Sequence, residues 1–146
     1  MSVLLKNGMI VNATGRYAAD VYTEKDRIKA IGTDLAYAAD EVVDAKGKYV
    51  LPGAIDPHTH ISMPFMGTFA QDDYETGTIA AACGGVTCVV DFDLQQKGES
   101  LFDALERKKA LADGKVAVDY SLHPAVMDPR PEVIEEIKKA CQESVS

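Results

Sequence analysis

His58 and His60 are the residues whose type and spacing most plainly suggest chemistry. They close the run Leu51-Pro52-Gly53-Ala54-Ile55-Asp56-Pro57-His58-Thr59-His60. In an extended strand alternate side chains share a face, so the two imidazoles point the same way. Neutral imidazole is a common ligand for zinc and related first-row ions. A metal held there would lower the pKa of a bound water and act as a Lewis acid. Asp56, just upstream, is placed to orient one ligand or to cap a turn. His123 is the only other histidine, and its position at a strand end suits packing, hydrogen bonding or support of a ligand. Asp91 and Asp93 read as strand-end hydrogen-bond acceptors or helix caps, with an electrostatic role at the site rim as the alternative.

The elements that must position these residues change character at Pro52-Gly53. Residues 1–51 read as short strands with tight turns, expected to form a small antiparallel, sandwich-like β domain. Asn7-Gly8 is a strong hairpin signal between Val3-Leu4-Leu5-Lys6 and Met9-Ile10-Val11. Further turns fall at Ala13–Arg16, Lys25-Asp26 and Lys46–Lys48. From residue 52 to 146, apolar strands alternate with helical patterns. Asp73–Cys83 is an expected helix with an acidic start at Asp72, Asp73 and Glu75, stopped by Gly84-Gly85. Val86–Phe92 is β-branched and nearly all apolar, as a buried parallel strand should be.

Ser100–Ala112 is a second expected helix, capped by Ser100, with Leu101, Ala104, Leu105 and Leu111 as its apolar stripe. Val116–Leu122 is a third strand. Pro131 opens a third helix with Val133, Ile134, Ile137 and Ala140 on the buried side, and Lys138 and Lys139 on the wet side. Alternating strands and helices imply an α/β fold with parallel strands and right-handed crossovers. Three such units do not close a barrel, and an open parallel sheet lacks cover on one face.

The chain has 146 residues, 47% hydrophobic and 26% charged, as in a globular domain, with a net charge of -8. That charge argues against a nucleic-acid-binding surface. No apolar run approaches the ~20 residues of a membrane span, and the N-terminus has no signal-peptide pattern. Cys83, Cys88 and Cys141 form no CxxC pair, which suits reduced, buried thiols in a cytoplasm.

The run Gly53–His60 resembles the first metal-binding strand of the amidohydrolase superfamily. Met63-Pro64-Phe65, then Asp72-Asp73-Tyr74-Glu75-Thr76-Gly77-Thr78 and Ala80 through Thr87, narrow the resemblance to its dihydropyrimidinase and D-hydantoinase branch. The likeness extends over the whole chain, including its Leu-x-Lys-Asn-Gly opening. Dihydroorotases fit less well, because Ile61, Ser62 and Met63 stand where they carry a substrate-gripping Arg.

The resemblance implies the N-terminal part of a (β/α)8 barrel, truncated after three βα units, behind a composite sandwich domain. It implies a binuclear zinc centre, with manganese possible, in which His58 and His60 hold one ion. A carboxylated lysine, two more histidines and an aspartate complete that centre in the family, and a bridging hydroxide opens the ring. All of those partners would lie beyond Ser146, so no catalytic base is expected within the chain, and Lys138 and Lys139 are poor substitutes for the lysine. The expected substrate is a cyclic amide or ureide, opened to an N-carbamoyl amino acid. The apolar loop 63–69 would gate its ring substituent through Met63 and Phe65. A homo-oligomer is expected, and residues 1–146 alone are expected to be inactive. The competing expectation is a catalytically silent scaffolding relative, against which retention of the His pair speaks.

Overall fold

A computed structural model describes residues 1–143. The chain divides into two units, Met1–Pro52 and Gly53–Ser146.

The first unit is one five-stranded sheet. Its strands are β1 (Ser2–Asn12), β2 (Gly15–Glu24), β3 (Arg27–Gly32), β4 (Glu41–Asp44) and β5 (Tyr49–Val50). The order is β3-β2-β1-β4, and β5 also pairs with β1. The sheet is mixed, where an antiparallel one is expected from the sequence. β1–β2 and β2–β3 are antiparallel, but β4 and β5 run parallel to β1. Ile10, Ala19 and Val21 form its core, with Leu5 and Val50 packed on them.

Asn7-Gly8 is not the expected turn. It is a bulge within a continuous β1, where the pairing with β2 slips between Leu5 and Gly8. Asn7 adopts the left-handed region (φ 64°) that asparagine tolerates, and its N–H donates to Asp20 Oδ1 at 2.8 Å. Gly8 leaves room for β5, since a Cβ there would lie 2.6 Å from Val50 Cγ2. The true hairpin turn is at Ala13-Thr14, where Asn12 Oδ1 accepts from both the N–H and the hydroxyl of Thr14.

The second unit contains β6 (Ala54–Thr59), β7 (Pro64–Phe65), β8 (Thr68–Phe69), α1 (Tyr74–Cys83), β9 (Val86–Leu94), α2 (Leu101–Ala112), β10 (Asp119–Ala125) and α3 (Pro131–Glu143). β10, β9 and β6 form a parallel sheet in that order, giving three strand-helix pairs and an α/β fold. Each helix begins on a recognisable cap or on proline. Asp73 and Thr76 exchange side chain-to-backbone bonds in a capping box, and Ser100 accepts from Asp103 N–H at 3.0 Å. Gly85 (φ 83°) terminates α1.

Burial alternates along β9. Val89, Asp91 and Asp93 are buried, while Cys88, Val90 and Phe92 on the other face are half-buried. The core on the covered side is Ile61, Tyr74, Val89 and Ala112. On the other face, Ile55 is 64% exposed.

Several expectations need correction. β10 starts three residues late, because Ala117 N–H donates to Thr78 Oγ1 of α1 at 2.9 Å, and Val116 and Val118 join the core from the preceding segment. The buried stripe of α2 is Leu101, Ala104, Lys108 and Ala112, with Leu105 half-buried and Leu111 40% exposed. In α3, Val133 is buried but Ile134 and Ile137 are exposed, and Ala140 lies outside the residues whose side chains are described. Cys83 is exposed and Cys88 half-buried, both free; Cys141 also lies outside. The loop after His60 contains a small hairpin, β7–β8, whose turn at Met66 and Gly67 has φ 48° and 81°, as a type I′ turn requires. No helix of the described residues is long and apolar enough to cross a membrane.

Candidate metal centre

β6 delivers the His pair at its C-terminal end. The pairing with β9 slips between Asp56 and Thr59, and Thr59 aligns with buried Asp91 on the covered face. His58 and His60 flank Thr59 and fall on the open face. Asp56 shapes the approach by accepting from His58 N–H at 3.2 Å, which is the turn-capping role.

The two Nε2 atoms are 3.1 Å apart. Without a cation, one ring donates to the other. The same spacing would let both lone pairs meet on one cation. Two nitrogens at ~2.0–2.1 Å from a tetrahedral zinc lie about 3.3 Å apart, so the observed spacing fits one shared ion. His60 Nδ1 lies 3.0 Å from Met63 Sδ. A thioether only accepts, so this contact places the proton on Nδ1 and leaves Nε2 free as a ligand. Among the described residues, no group of three or more His, Cys, Asp or Glu is arranged to hold a metal. The pair by itself offers two nitrogen donors and no third protein ligand beside them among the described residues.

Phe92 sits among all three histidines, with ring centroids 4.5 Å from His58, 5.4 Å from His60 and 5.3 Å from His123. His123 accordingly packs on Phe92. Behind the pair, on the covered face, Asp91 is fully buried. It accepts from Thr59 Oγ1, Ile61 N–H and Tyr74 OH, and pairs with Lys108 Nζ at 2.9 Å. Burial, reinforced by the bond to Asp91, pushes the Tyr74 phenol well above its ordinary range. Asp93 is buried too and meets Arg107 at 3.2 Å. Burial pushes its carboxyl up, opposed by the nearby Arg107 and Lys108 charges. Both aspartates are strand-end acceptors rather than rim groups.

The hairpin β7–β8 forms one wall of a groove of about 450 Å³, lined by His60, Met63, Phe65, Thr68, Phe69 and Ala70. That volume falls in the small-molecule range. Phe65 is 59% exposed and Met63 half-buried. A second cavity of about 320 Å³ reaches His60 from the side of Thr59 and Asp72. His58, His60, Met63 and Phe65 are legible as site residues in the sequence, whereas Phe92, Tyr74, Thr59 and Lys108 emerge in the fold. Lys108 carried a signal, since it falls at i+7 from Leu101 on the apolar stripe, opposite a strand whose aspartate needs a cation.

The family model for the amidohydrolase family matches residues 49–145. A D-hydantoinase of Geobacillus stearothermophilus is 48% identical over 143 residues, which is 98% of this chain and 30% of that protein. A dihydropyrimidinase of Rattus norvegicus is 44% identical over 97% of this chain and 28% of its own length. A crystal structure of D-hydantoinase superposes with a TM-score of 0.93 at 46% identity, over 99% of this chain and 31% of that one. The chain therefore spans under a third of the length of these relatives.

Proposed function

The chain belongs to the amidohydrolase family, and from that premise we propose that it is the N-terminal part of a metal-dependent cyclic amidohydrolase. That enzyme opens dihydropyrimidine or hydantoin rings to N-carbamoyl amino acids. In this reading β6–α1, β9–α2 and β10–α3 are the first three units of a (β/α)8 barrel, and residues 1–52 are part of a small β domain. The observation that carries the reading is the His58–His60 pair. Its Nε2 atoms converge at 3.1 Å at the C-terminal end of a parallel strand, where barrel enzymes place their chemistry.

His58 and His60 would hold one ion of the centre through Nε2. When bound, the metal supplies Lewis-acid polarisation of the ring carbonyl and a water of lowered pKa. The protein's own groups do the rest. Met63 Sδ fixes the His60 tautomer, and Phe92 packs at a tilt against both rings. Met63, Phe65 and Phe69 make an apolar wall beside His60. Such a wall excludes water and receives a ring substituent.

The test is ring opening. The intact protein carrying this segment is expected to hydrolyse dihydrouracil or hydantoin in the presence of zinc or manganese, and His58→Ala is expected to abolish turnover. Residues 1–146 alone are expected to turn over neither compound, because two imidazoles cannot hold two ions. A folded, metal-loaded intact protein that opens neither ring would overturn the proposal and favour a silent scaffolding role.

A further inference from the structure

We infer that Asp91, together with Lys108, is the positioning device of the His58–His60 pair, holding the Thr59 side chain and the Ile61 main chain on either side of His60 so that the two imidazoles converge. The inference rests on the metal-binding reading of that pair.

The geometry is specific. Asp91 Oδ1 accepts from Thr59 Oγ1 at 3.0 Å and from Ile61 N–H at 2.9 Å. Asp91 Oδ2 accepts from Tyr74 OH at 2.7 Å and faces Lys108 Nζ at 2.9 Å. Lys108 Nζ also donates to Ile61 C=O at 2.6 Å. Both main-chain polar groups of Ile61 are thus gripped, one by each member of the ion pair. Thr59 and Ile61 are the immediate neighbours of His60, and Thr59 also follows His58. The four acceptor directions of one carboxylate are all spent on this junction or on the groups that hold the carboxylate itself. The next residue, Phe92, meets both imidazoles from the opposite face of the sheet. Two consecutive residues of β9 therefore fix the pair, Asp91 through the neighbours of His60 and Phe92 through the rings.

Stability alone does not account for this arrangement. Asp91 is fully buried and Lys108 is 3% exposed. Removing two charges from water is costly, and an apolar pair of the same volume commonly folds as well or better. An apolar pair, however, could not grip the N–H and C=O of Ile61. Buried polar groups arranged around metal ligands serve orientation, and their loss typically weakens metal affinity about 10–100-fold.

The experiment uses the intact protein and zinc alone, titrated against a chromophoric chelator. Three variants are compared with the wild type: the apolar double variant Asp91→Leu/Lys108→Met, the milder Thr59→Val, and Lys138→Met as a remote control. Imidazole ¹⁵N spectra are recorded without metal in parallel. The expected result is a folded double variant that binds zinc about 10–100-fold more weakly, a smaller loss for Thr59→Val, and displaced His58 and His60 imidazole signals in both. Lys138→Met should match the wild type. Wild-type affinity and unchanged imidazole signals in the folded variants would overturn the inference. If the double variant does not fold, Thr59→Val decides by the same two readouts. If the wild type itself binds no zinc, the metal reading fails, and the imidazole spectra alone judge the clamp: displaced signals support it and unchanged signals refute it.

Discussion

Gly53→Ala is a severe perturbation for so small a change, and the structure says how severe. Gly53 immediately precedes β6. A Cβ built there lies 2.1 Å from Thr87 Oγ1, 2.2 Å from Thr87 Cγ2 and 2.6 Å from Thr87 Cβ. Carbon atoms rest at about 3.5–4.0 Å, so each contact is short by about 1 Å or more. Turning the Thr87 side chain moves Oγ1 and Cγ2 but leaves Cβ where it is. The backbones entering β6 and β9 must therefore separate, against the pairing of Ala54 with Val86 and the bond from Ala54 N–H to Gly85 C=O at 3.0 Å. Overpacking of this kind costs about 1–3 kcal/mol, and a fixed Cβ overlap puts it at about 3 kcal/mol.

Thr87→Gly removes all three offending atoms, at about 1 kcal/mol for glycine in a strand. Independent effects would sum to about 4 kcal/mol in the double variant. The overlap predicts instead that the double variant loses only the glycine cost, about 1 kcal/mol. Urea denaturation of the four proteins at 25 °C reads this cycle. A Gly53→Ala variant within about 0.5 kcal/mol of wild type, or an additive double variant, would refute the reasoning.

Two further outcomes follow from single residues. Asp20 is held below its ordinary value of 3.8 by the N–H of Asn7 first, then by the N–H of Leu35 and by Lys6, against the opposing cost of burial. A carboxyl depressed in the folded state adds stability above its unfolded pKa and loses it as pH falls through the folded pKa. Asp20→Asn should therefore be less stable than wild type at pH 7 in denaturant titrations, and the gap should shrink below about pH 3.8. In α2, Leu101→Ala should cost about 2–5 kcal/mol because the side chain is fully buried. Leu111→Ala should cost under about 0.5 kcal/mol because Leu111 faces solvent; equal losses in the two variants would contradict the observed stripe.

What could be read from the sequence was what local chemistry decides. The β-branched run at Val86–Phe92 became β9, and Asp73 and Ser100 became helix caps because each offers a carboxylate or hydroxyl to orphan N–H groups. His58 and His60 share a face because an extended backbone leaves no other option. What escaped depended on partners distant in the chain. Asn7-Gly8 carries a turn signal, yet Asp20 and Asp44 satisfy Asn7 and Val50 closes over Gly8, which makes it a bulge. Lys108 lies on the apolar stripe of α2, but its partners show only when Asp91, 17 residues earlier, and Ile61, 47 residues earlier, are placed beside it. Thr78 diverts Ala117 from the sheet across 39 residues. The apolar loop after His60 was visible as unusual, but its hairpin needed the positive φ of both Met66 and Gly67. Periodicity carries none of these long-range contacts.

The central claim is that His58 and His60 jointly ligate a metal, and the most direct measurement is the metal content of the intact protein by mass spectrometry under native conditions. Bound zinc or manganese is expected in the wild type, with loss of at least one ion in both His58→Ala and His60→Ala. A wild type that binds no metal, or single variants that both retain its full metal content, would contradict it.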